Sequence, residues 1–140
     1  MITINRHQNV SQPEFEQVMQ IWLQTGLANP ARADDRETVQ RTLDHGGCLL
    51  IAWEGERAMG SSWLTHDFRR LYIHHMGVLP EFQNQGIGKA LLGEALEIAH
   101  ELGYQAKLEV FETNAKALHL YYSFGFENLE RYYTLIKRRV

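Results

Sequence analysis

The sequence predicts an α/β fold in which a mixed, mostly antiparallel central sheet is flanked by helices. Two observations indicate this class. Short strand-like segments joined by tight turns fill the middle of the 140-residue chain, as is typical of antiparallel hairpins. Toward the C-terminus, segments with helical periodicity alternate with further strands, so helices are expected to connect one strand to the next.

The first elements are a short strand near residues 2–4 and a helix over residues 11–26. Ser11 and Glu14 have the spacing of a capping box, in which each side chain accepts a hydrogen bond from a backbone N–H. Apolar residues then recur at i, i+3, i+4 and i+7 from Phe15 onward, which predicts a helix with one face on a core.

A second, more polar helix is expected over residues 34–45, where Gly46 and Gly47 would end it. Gly55 tolerates the positive φ that a tight hairpin turn requires. The remaining pattern predicts strands at 48–53, 58–65 and 71–78, a helix at 86–102, a strand at 107–112, a helix at 114–124 and a strand at 131–138. The expected order is therefore β-α-α-β-β-β-α-β-α-β.

Length and composition narrow the class of protein. A chain of 140 residues fits one domain, here residues 1–140, and a net charge of −3 disfavours a nucleic-acid surface. The longest apolar run, residues 48–53, is far shorter than the roughly 20 residues that span a bilayer. The single cysteine, Cys48, allows no internal disulfide. We expect a cytoplasmic protein that binds neither nucleic acid nor membrane.

The stretch "GVLPEFQNQGIGKALL", residues 77–92, places two glycines at the start of an apolar helix. A helix N-terminus leaves backbone N–H groups without intrahelical partners, and these groups bind phosphate well. A dinucleotide-binding motif would need glycine where the chain has Leu91, and a P-loop would need glycine at Gln83 and Ser or Thr at Ala90. NAD and ATP are therefore disfavoured as ligands.

The remaining pattern, Gln83-x-x-Gly86-x-Gly88 after a strand, resembles the acyl-coenzyme A motif of the GNAT superfamily of N-acetyltransferases. A second stretch, residues 114–126, is similar to that family's Asn-x-x-Ala-x-x-x-Tyr-x-x-x-Gly-Phe at each named position. Residues 1–60 match the family only in layout. The resemblance implies a GNAT-like fold and transfer of an acetyl group from acetyl-CoA to a primary amine.

The resemblance also implies a set of cofactor-binding residues. The backbone amides from Gln83 to Lys89 are expected to bind the pyrophosphate of coenzyme A, while a bulge at Gly77 would leave main-chain groups beside it for the pantetheine arm. The predicted cofactor residues are Met76, Gly77, Val78, Gln83, Asn84, Gln85, Gly86, Ile87, Gly88, Lys89, Asn114, Ala117 and Tyr121.

Acetyl transfer to an amine needs a proton acceptor for the ammonium group and a proton donor for the departing thiolate. The family motif assigns the donor to Tyr121, and helical geometry turns the neighbouring Tyr122 away, toward the core. Strict alternation places Tyr72, His74, Met76 and Val78 on one strand face, so His74 is the candidate base, directly or through water.

Some family members have a glutamate at the position of Tyr72, and this chain lacks it. Alternation turns His75 to the opposite face from His74, so the two cannot form a metal site, and no metal is predicted. Cys48 has no evident base beside it, so we expect direct attack by the amine rather than an acetyl-enzyme.

The acceptor is expected to enter between the first two helices and the hairpin strands. The candidate substrate-binding residues are Trp22, Asn29, Trp63, Tyr72 and Glu112. Asp34 and Asp35 would suit a cationic amine, although a charge pair at a helix start is more typical of capping. The acceptor is a small-molecule or peptide amine whose identity stays open, and aromatic residues near the C-terminus would allow a homodimer.

A hypothesis of a different class is a non-catalytic module that binds acyl-CoA and reports on it through a partner. The two hypotheses share the glycine-rich loop and differ in whether a proton donor is needed. The presence of Tyr121 in the second motif favours the enzyme.

Overall fold

A computed structural model describes residues 2–140 of the chain. It contains two compact units, one extending to Glu109 and one spanning Val110–Val140, and each is described here by itself. The single domain expected over residues 1–140 stays a prediction.

The first unit contains a five-stranded sheet and three α-helices. Its elements are β1 (Thr3–His7), α1 (Gln12–Gln24), α2 (Arg36–Asp44), β2 (Cys48–Glu54), β3 (Arg57–His66), β4 (Arg70–Val78), α3 (Ile87–Leu102) and β5 (Gln105–Leu108). The strands lie in the order β1-β2-β3-β4-β5, with antiparallel pairing throughout except for the parallel pair of β4 and β5. The predicted mixed, mostly antiparallel sheet is confirmed.

Local signals in the sequence set the start of α1. Ser11 accepts a hydrogen bond from the Glu14 amide, while the Glu14 carboxylate accepts one from the Ser11 amide, which completes the predicted capping box. The buried face of α1 then packs on β3, where Val18, Ile21 and Ala58 belong to one hydrophobic cluster. Between residues 2 and 140, no helix is both long and apolar enough to cross a membrane.

The second unit contains α4 (Ala115–Ser123), whose first turn is capped by the side chain of Asn114. Tyr121 is the buried residue of this helix, whereas Tyr122 is 47% exposed and donates a hydrogen bond to the Asn128 side chain. The prediction that Tyr122 lies in the core is therefore wrong. The hydrogen bond to Asn128 holds the Tyr122 hydroxyl at the surface of this unit.

Two predicted strands differ from the structure. The strand expected at 107–112 is β5 at 105–108, because its ladder with β4 begins directly after the turn that ends α3 and stops at Leu108. Residues 131–138 were predicted to be the last strand, yet within residues 2–140 they join no sheet. Residues that suit a strand form one only where another strand is available to pair with them.

Candidate functional site

A β-bulge interrupts β4 next to its C-terminal end. On β3, Ser61 pairs with Gly77 and Trp63 pairs with His74, so Ser62 lies opposite two residues of β4 instead of one. The extra residue is accommodated by a positive φ of 46° at His75, a conformation that is uncommon for residues other than glycine. A bulge was expected near Gly77. It is present, and its residue with positive φ is His75, two positions before Gly77.

The bulge changes which side chains share a face. Ser61 and Trp63 lie on the same face of β3, so their partners Gly77 and His74 also share that face. The His75 ring joins them, because its centroid is 5.8 Å from that of Trp63, close to the 5.6 Å of His74. The prediction that His75 faces away from His74 is therefore wrong.

The same irregularity moves Met76 and Val78 to the other face. Gly77 now shares the face of His74, so its two neighbours in the strand point to the opposite side. Tyr72, His74, Met76 and Val78 were predicted to share one face of β4. This prediction is wrong for Met76 and Val78. A side-chain period of two holds only while the ladder is regular, and one inserted residue reverses it.

β4 and β5 separate just before the bulge. Their parallel ladder joins Arg70–Ile73 to Gln105–Leu108 and ends there. Within residues 2–140, the part of β4 from His74 to Val78 therefore does not pair with β5. This separation leaves one edge of β4 without β5 along the residues that were predicted to contact the pantetheine arm.

The loop after β4 leads into the N-terminus of α3. Gln83 donates from its side-chain amide to the Val78 carbonyl at 3.0 Å, which ties the loop to the strand end. Gly86 is the N-cap of α3 with a left-handed φ of 82°, and no side chain caps the helix there. The first intrahelical hydrogen bond runs from the Ala90 amide to the Gly86 carbonyl at 3.0 Å.

The backbone N–H groups of Ile87, Gly88 and Lys89 lie ahead of that first hydrogen bond, and we call them the α3 amide cluster. A helix N-terminus with donors of this kind has a partial positive charge that favours an anion. Gly86 is exposed, and space is open around the position of a Cβ there. These features fit a phosphate group of the kind that coenzyme A contains.

A buried carboxylate lies beside the bulge. Asp34 is 7% exposed, and its Oδ2 is 3.0 Å from Nε2 of His75 and 2.7 Å from the backbone nitrogen of Asn29, which donates to it. Asp35 caps α2 through the Thr38 amide, so the two adjacent aspartates have different roles. The sequence predicted capping for both, and only the structure pairs Asp34 with a histidine.

His74 is largely buried on the same face. Its Nε2 lies 2.8 Å from the Thr65 hydroxyl, and burial, followed by the neighbouring His75, lowers the pKa of His74 below its usual value. Desolvation disfavours the charged imidazolium, so the ring stays neutral over a wider pH range. A neutral ring is the form that accepts a proton.

The predicted acceptor residues occupy different environments. Trp22 is fully buried, and its indole nitrogen donates to Ser61, so it supports the region from beneath and does not contact solvent. Trp63 is half-buried and stacks on Trp22 with ring centroids 5.9 Å apart. Tyr72 lies next to His74 on β4 with the rings stacked at 6.3 Å. The Asn29 side chain accepts from the Ala31 amide.

The remaining site residues lie in the second unit. Burial raises the pKa of Tyr121 above its ordinary value, and its ring contacts Phe126 at 5.8 Å. Asn114 uses its side chain to cap α4, and Glu112 is exposed in the turn before that helix. Within residues 2–140, no group of three or more His, Cys, Asp or Glu is placed to hold a metal ion.

The bulged β4, its separation from β5 and the glycine-capped helix after it have the architecture of the GNAT acyltransferase fold. The model of the acetyltransferase (GNAT) family matches residues 15–126, so the chain belongs to this family.

Three relatives illustrate the similarity. An acetyltransferase of Photorhabdus laumondii is 34% identical over 83 residues, which cover 58% of this chain and 57% of that relative. The structure of a GNAT-family acetyltransferase from Streptococcus pneumoniae TIGR4 has a TM-score of 0.79 and 28% identity, with 100% of both chains covered. A GNAT acetyltransferase from Elizabethkingia anophelis with acetyl-CoA bound has a TM-score of 0.67 and 26% identity, covering 90% of this chain and 76% of that one.

Proposed function

We propose that the protein is an acetyl-CoA-dependent N-acetyltransferase that transfers the acetyl group to a primary amine. The observation that supports this most directly is the position of the α3 amide cluster beside the strand end where β4 has left β5. A similar structure with acetyl-CoA bound supports the choice of cosubstrate. The proposed location of the reaction is the cytoplasm.

In this proposal the residues from Gln83 to Lys89 bind the pyrophosphate, with the α3 amide cluster as the main donors. The edge of β4 from Met76 to Val78, which β5 does not cover, pairs with the amides of the pantetheine arm as an added strand would. Asn114, Ala117 and Tyr121 complete the cofactor site by the family resemblance.

Two side chains are assigned the proton transfers. A histidine of β4, for which the sequence names His74, takes a proton from the acceptor amine, whose pKa near 10 keeps it charged at neutral pH. Tyr121 donates a proton to the sulfur, and burial favours its protonated form. The amine attacks the thioester directly while both substrates are bound.

The acceptor is an amine of a small molecule or a peptide. The half-buried rings of Trp63 and Tyr72, together with Asn29, line the face of the sheet on which the bulge places the two histidines. Glu112 is proposed as a further contact through the family resemblance. Trp22 acts beneath this surface by holding Trp63 in place.

Calorimetric titration with coenzyme A, ATP and NAD tests the cosubstrate. We expect heat and a raised melting temperature with coenzyme A and neither with the two nucleotides. Thiol release from acetyl-CoA is then measured with L-lysine, spermidine, an aminoglycoside and a peptide with a free amino terminus. Binding of coenzyme A without acceleration by any amine would favour the non-catalytic module, and absence of binding would reject both hypotheses.

We also propose that the C-terminal residues 131–138 pair with a second copy of the chain. Within residues 2–140 this segment joins no sheet, and its apolar side chains are exposed: Tyr132, Tyr133, Leu135 and Ile136. Light scattering should give the mass of a dimer, and replacing Tyr133 and Leu135 with serine should give a monomer. A monomeric wild-type protein at micromolar concentration would contradict this proposal.

A further inference from the structure

We propose that His75, held in place by Asp34, is the group that removes the proton from the acceptor's ammonium. This inference rests on the proposed acetyltransferase function and names a residue that the sequence pattern placed on the wrong face. It follows from four features of the structure: the bulge, the buried carboxylate, the ring contacts and the access of His75 to solvent.

The first feature is the pairing of His75 with Asp34. Their Nε2 and Oδ2 atoms are 3.0 Å apart, and the Asp34 side chain is 8% exposed. The Asn29 amide donates to the same carboxylate oxygen at 2.7 Å, so Asp34 is fixed from the side of the α1–α2 loop as well. A buried carboxylate with two hydrogen bonds is a rigid partner for the imidazole ring.

This pairing determines the tautomer of His75. A carboxylate only accepts hydrogen bonds, so Nε2 of His75 must bear the hydrogen, and the neutral ring keeps its lone pair on Nδ1. The proton acceptor is therefore Nδ1. When Nδ1 takes a proton, the imidazolium is stabilised by the carboxylate on the far side of the ring.

The position of His75 fits this role. It lies in the bulge, where β4 has just left β5 and next to the Met76–Val78 edge that pairs with the pantetheine arm in the proposed function. Its left-handed φ of 46° is a strained conformation of the kind that is concentrated at functional sites. The side chain is 25% exposed, so an acceptor can reach it.

Aromatic contacts fix the orientation of the ring. The His75 ring meets Trp22 edge-on at 4.9 Å and Trp63 at 5.8 Å between centroids. The titratable groups that face it are Asp34 from the α1–α2 loop and His74 from its own strand, while α1 and β3 present indole rings. Because these contacts already hold the ring in one orientation, Nδ1 loses little further rotational freedom when the acceptor binds.

The contacts of His74 suit a proton acceptor less well than those of His75. Its Nε2 is engaged by the Thr65 hydroxyl, and burial lowers its pKa, which disfavours the protonated ring. His75 differs because a carboxylate contacts it directly. Protonation of His75 also opposes protonation of His74, since the two charges would lie side by side.

Acetyl transfer moves two protons from the acceptor nitrogen. The ammonium loses one proton to Nδ1 of His75, and the neutral amine forms a C–N bond to the carbonyl carbon as the C–S bond breaks. The sulfur takes a proton from Tyr121, and the second proton of the nitrogen restores Tyr121. His75 then releases its proton to water, so the net products are the amide, coenzyme A and one proton.

The kinetic test uses His75→Asn, because asparagine tolerates a left-handed φ. With the best amine of the panel, we expect kcat/KM at pH 7 to fall by about 100-fold or more, the usual contribution of a general base. At pH 10 to 10.5 much of the amine is already neutral, so the deficit should shrink to less than about 10-fold. If His75 has a purely structural role, kcat/KM of the variant will be reduced by the same factor at both pH values. That result would overturn the inference.

Two further variants serve as comparisons. His74→Asn should lose less activity at pH 7 than His75→Asn, and a loss of equal or greater size that also disappears at high pH would assign the base to His74 instead. His100→Asn, at the exposed end of α3, is the matched control and should leave kcat/KM unchanged.

Asp34 acts as a positioning residue, so its test includes a readout besides activity. In the wild-type protein, nitrogen-15 NMR of the histidine rings should show hydrogen on Nε2 of His75 at pH 8. Asp34→Leu, which offers no acceptor to the Nε2 hydrogen, should shift this tautomer population and lower kcat/KM by at least about 10-fold at pH 7. Hydrogen on Nδ1 in the wild-type protein would overturn the inference without any activity measurement.

Coenzyme A titration of every variant separates the two levels of the proposal. If the wild-type protein binds coenzyme A and acetylates an amine while His75→Asn is equally active at pH 7, the inference fails and the proposed function stands. If the wild-type protein binds no coenzyme A, or binds it and accelerates no amine, the proposed function fails and the inference fails with it.

Discussion

Gly77 of β4 lies directly against Thr25 at the end of α1. A Cβ placed on Gly77 would be 2.9 Å from Oγ1 of Thr25 and 3.0 Å from Cδ1 of Leu27. Thr25 cannot move away easily, because its hydroxyl donates to the Ile21 carbonyl at 2.7 Å. The backbone of β4 next to the bulge therefore lies so close to the end of α1 that only glycine fits at position 77 without a shift of its neighbours.

Gly77→Ala should consequently destabilise the protein. Overpacking of this kind costs about 1–3 kcal/mol, which urea denaturation would measure as a lower free energy of unfolding. Gly93→Ala in α3 is the matched control, because space is open around its Cβ position. There alanine should stabilise the helix by about 0.5–1 kcal/mol. Equal stability of Gly77→Ala and the wild type would contradict the close contact.

Gly86 and Gly103 provide a paired test of the α3 amide cluster. Both are left-handed, with φ of 82° and 77°, at opposite ends of the same helix. Alanine at either position should cost about 1–2 kcal/mol of stability from backbone strain. Only Gly86→Ala should also weaken coenzyme A binding, by about 10-fold in calorimetry, because it displaces N–H groups worth about 1.4 kcal/mol. Equal affinities of the two variants would argue against phosphate binding at this helix end.

Tyr121 and Tyr122 are adjacent and differ in burial, which allows a matched comparison. Tyr121→Phe should lower kcat by about 100-fold with unchanged affinity for coenzyme A, because it removes only the proton donor. Tyr122→Phe removes an exposed hydroxyl bonded to Asn128 and should leave kcat unchanged. Because burial raises the pKa of Tyr121, the rate should not fall through loss of this proton below about pH 10. Full activity of Tyr121→Phe would exclude it as the acid.

Burial of His74 should make the stability of the protein depend on pH. Its folded-state pKa lies below the unfolded value of 6.5, so the unfolded chain binds more protons between those two values. The free energy of unfolding is therefore highest above about pH 6.5 and decreases as the pH falls toward the folded pKa. His74→Asn should lose less stability than the wild type between pH 7.5 and pH 5.5. An equal loss in both proteins would show that other groups account for the acid dependence.

Cys48 offers a test of direct transfer. Burial raises the pKa of its thiol to about 11, so the thiolate that would attack a thioester is scarce at neutral pH. Cys48→Ala should keep kcat within about twofold. A small substitution at the half-buried end of a strand changes stability more than it changes catalysis. Intact-mass measurement after incubation with acetyl-CoA should show no acetylated enzyme. A stable acetyl adduct lost in Cys48→Ala would contradict the proposed route.

Much of the fold follows from local patterns. The capping box of Ser11 and Glu14, the hairpin glycine Gly55 and the glycine-bounded helix α3 are all properties of short segments, and each lies where the sequence predicts it. The strand at residues 131–138 is the exception that shows the limit. Its aromatic and β-branched residues suit a strand, yet a strand needs hydrogen-bonding neighbours that no local pattern specifies.

The candidate site divides in the same way. The sequence alone determined the glycine-capped helix start and the tyrosine of the second motif, because a helix N-terminus and a motif are encoded in adjacent residues. Tertiary structure decided which histidine meets a carboxylate. Asp34 and His75 are 41 positions apart, and their contact depends on a bulge that exists only when β3 and β4 pair out of register. One inserted residue in a ladder reverses the faces of a strand, and neither strand by itself records where that occurs.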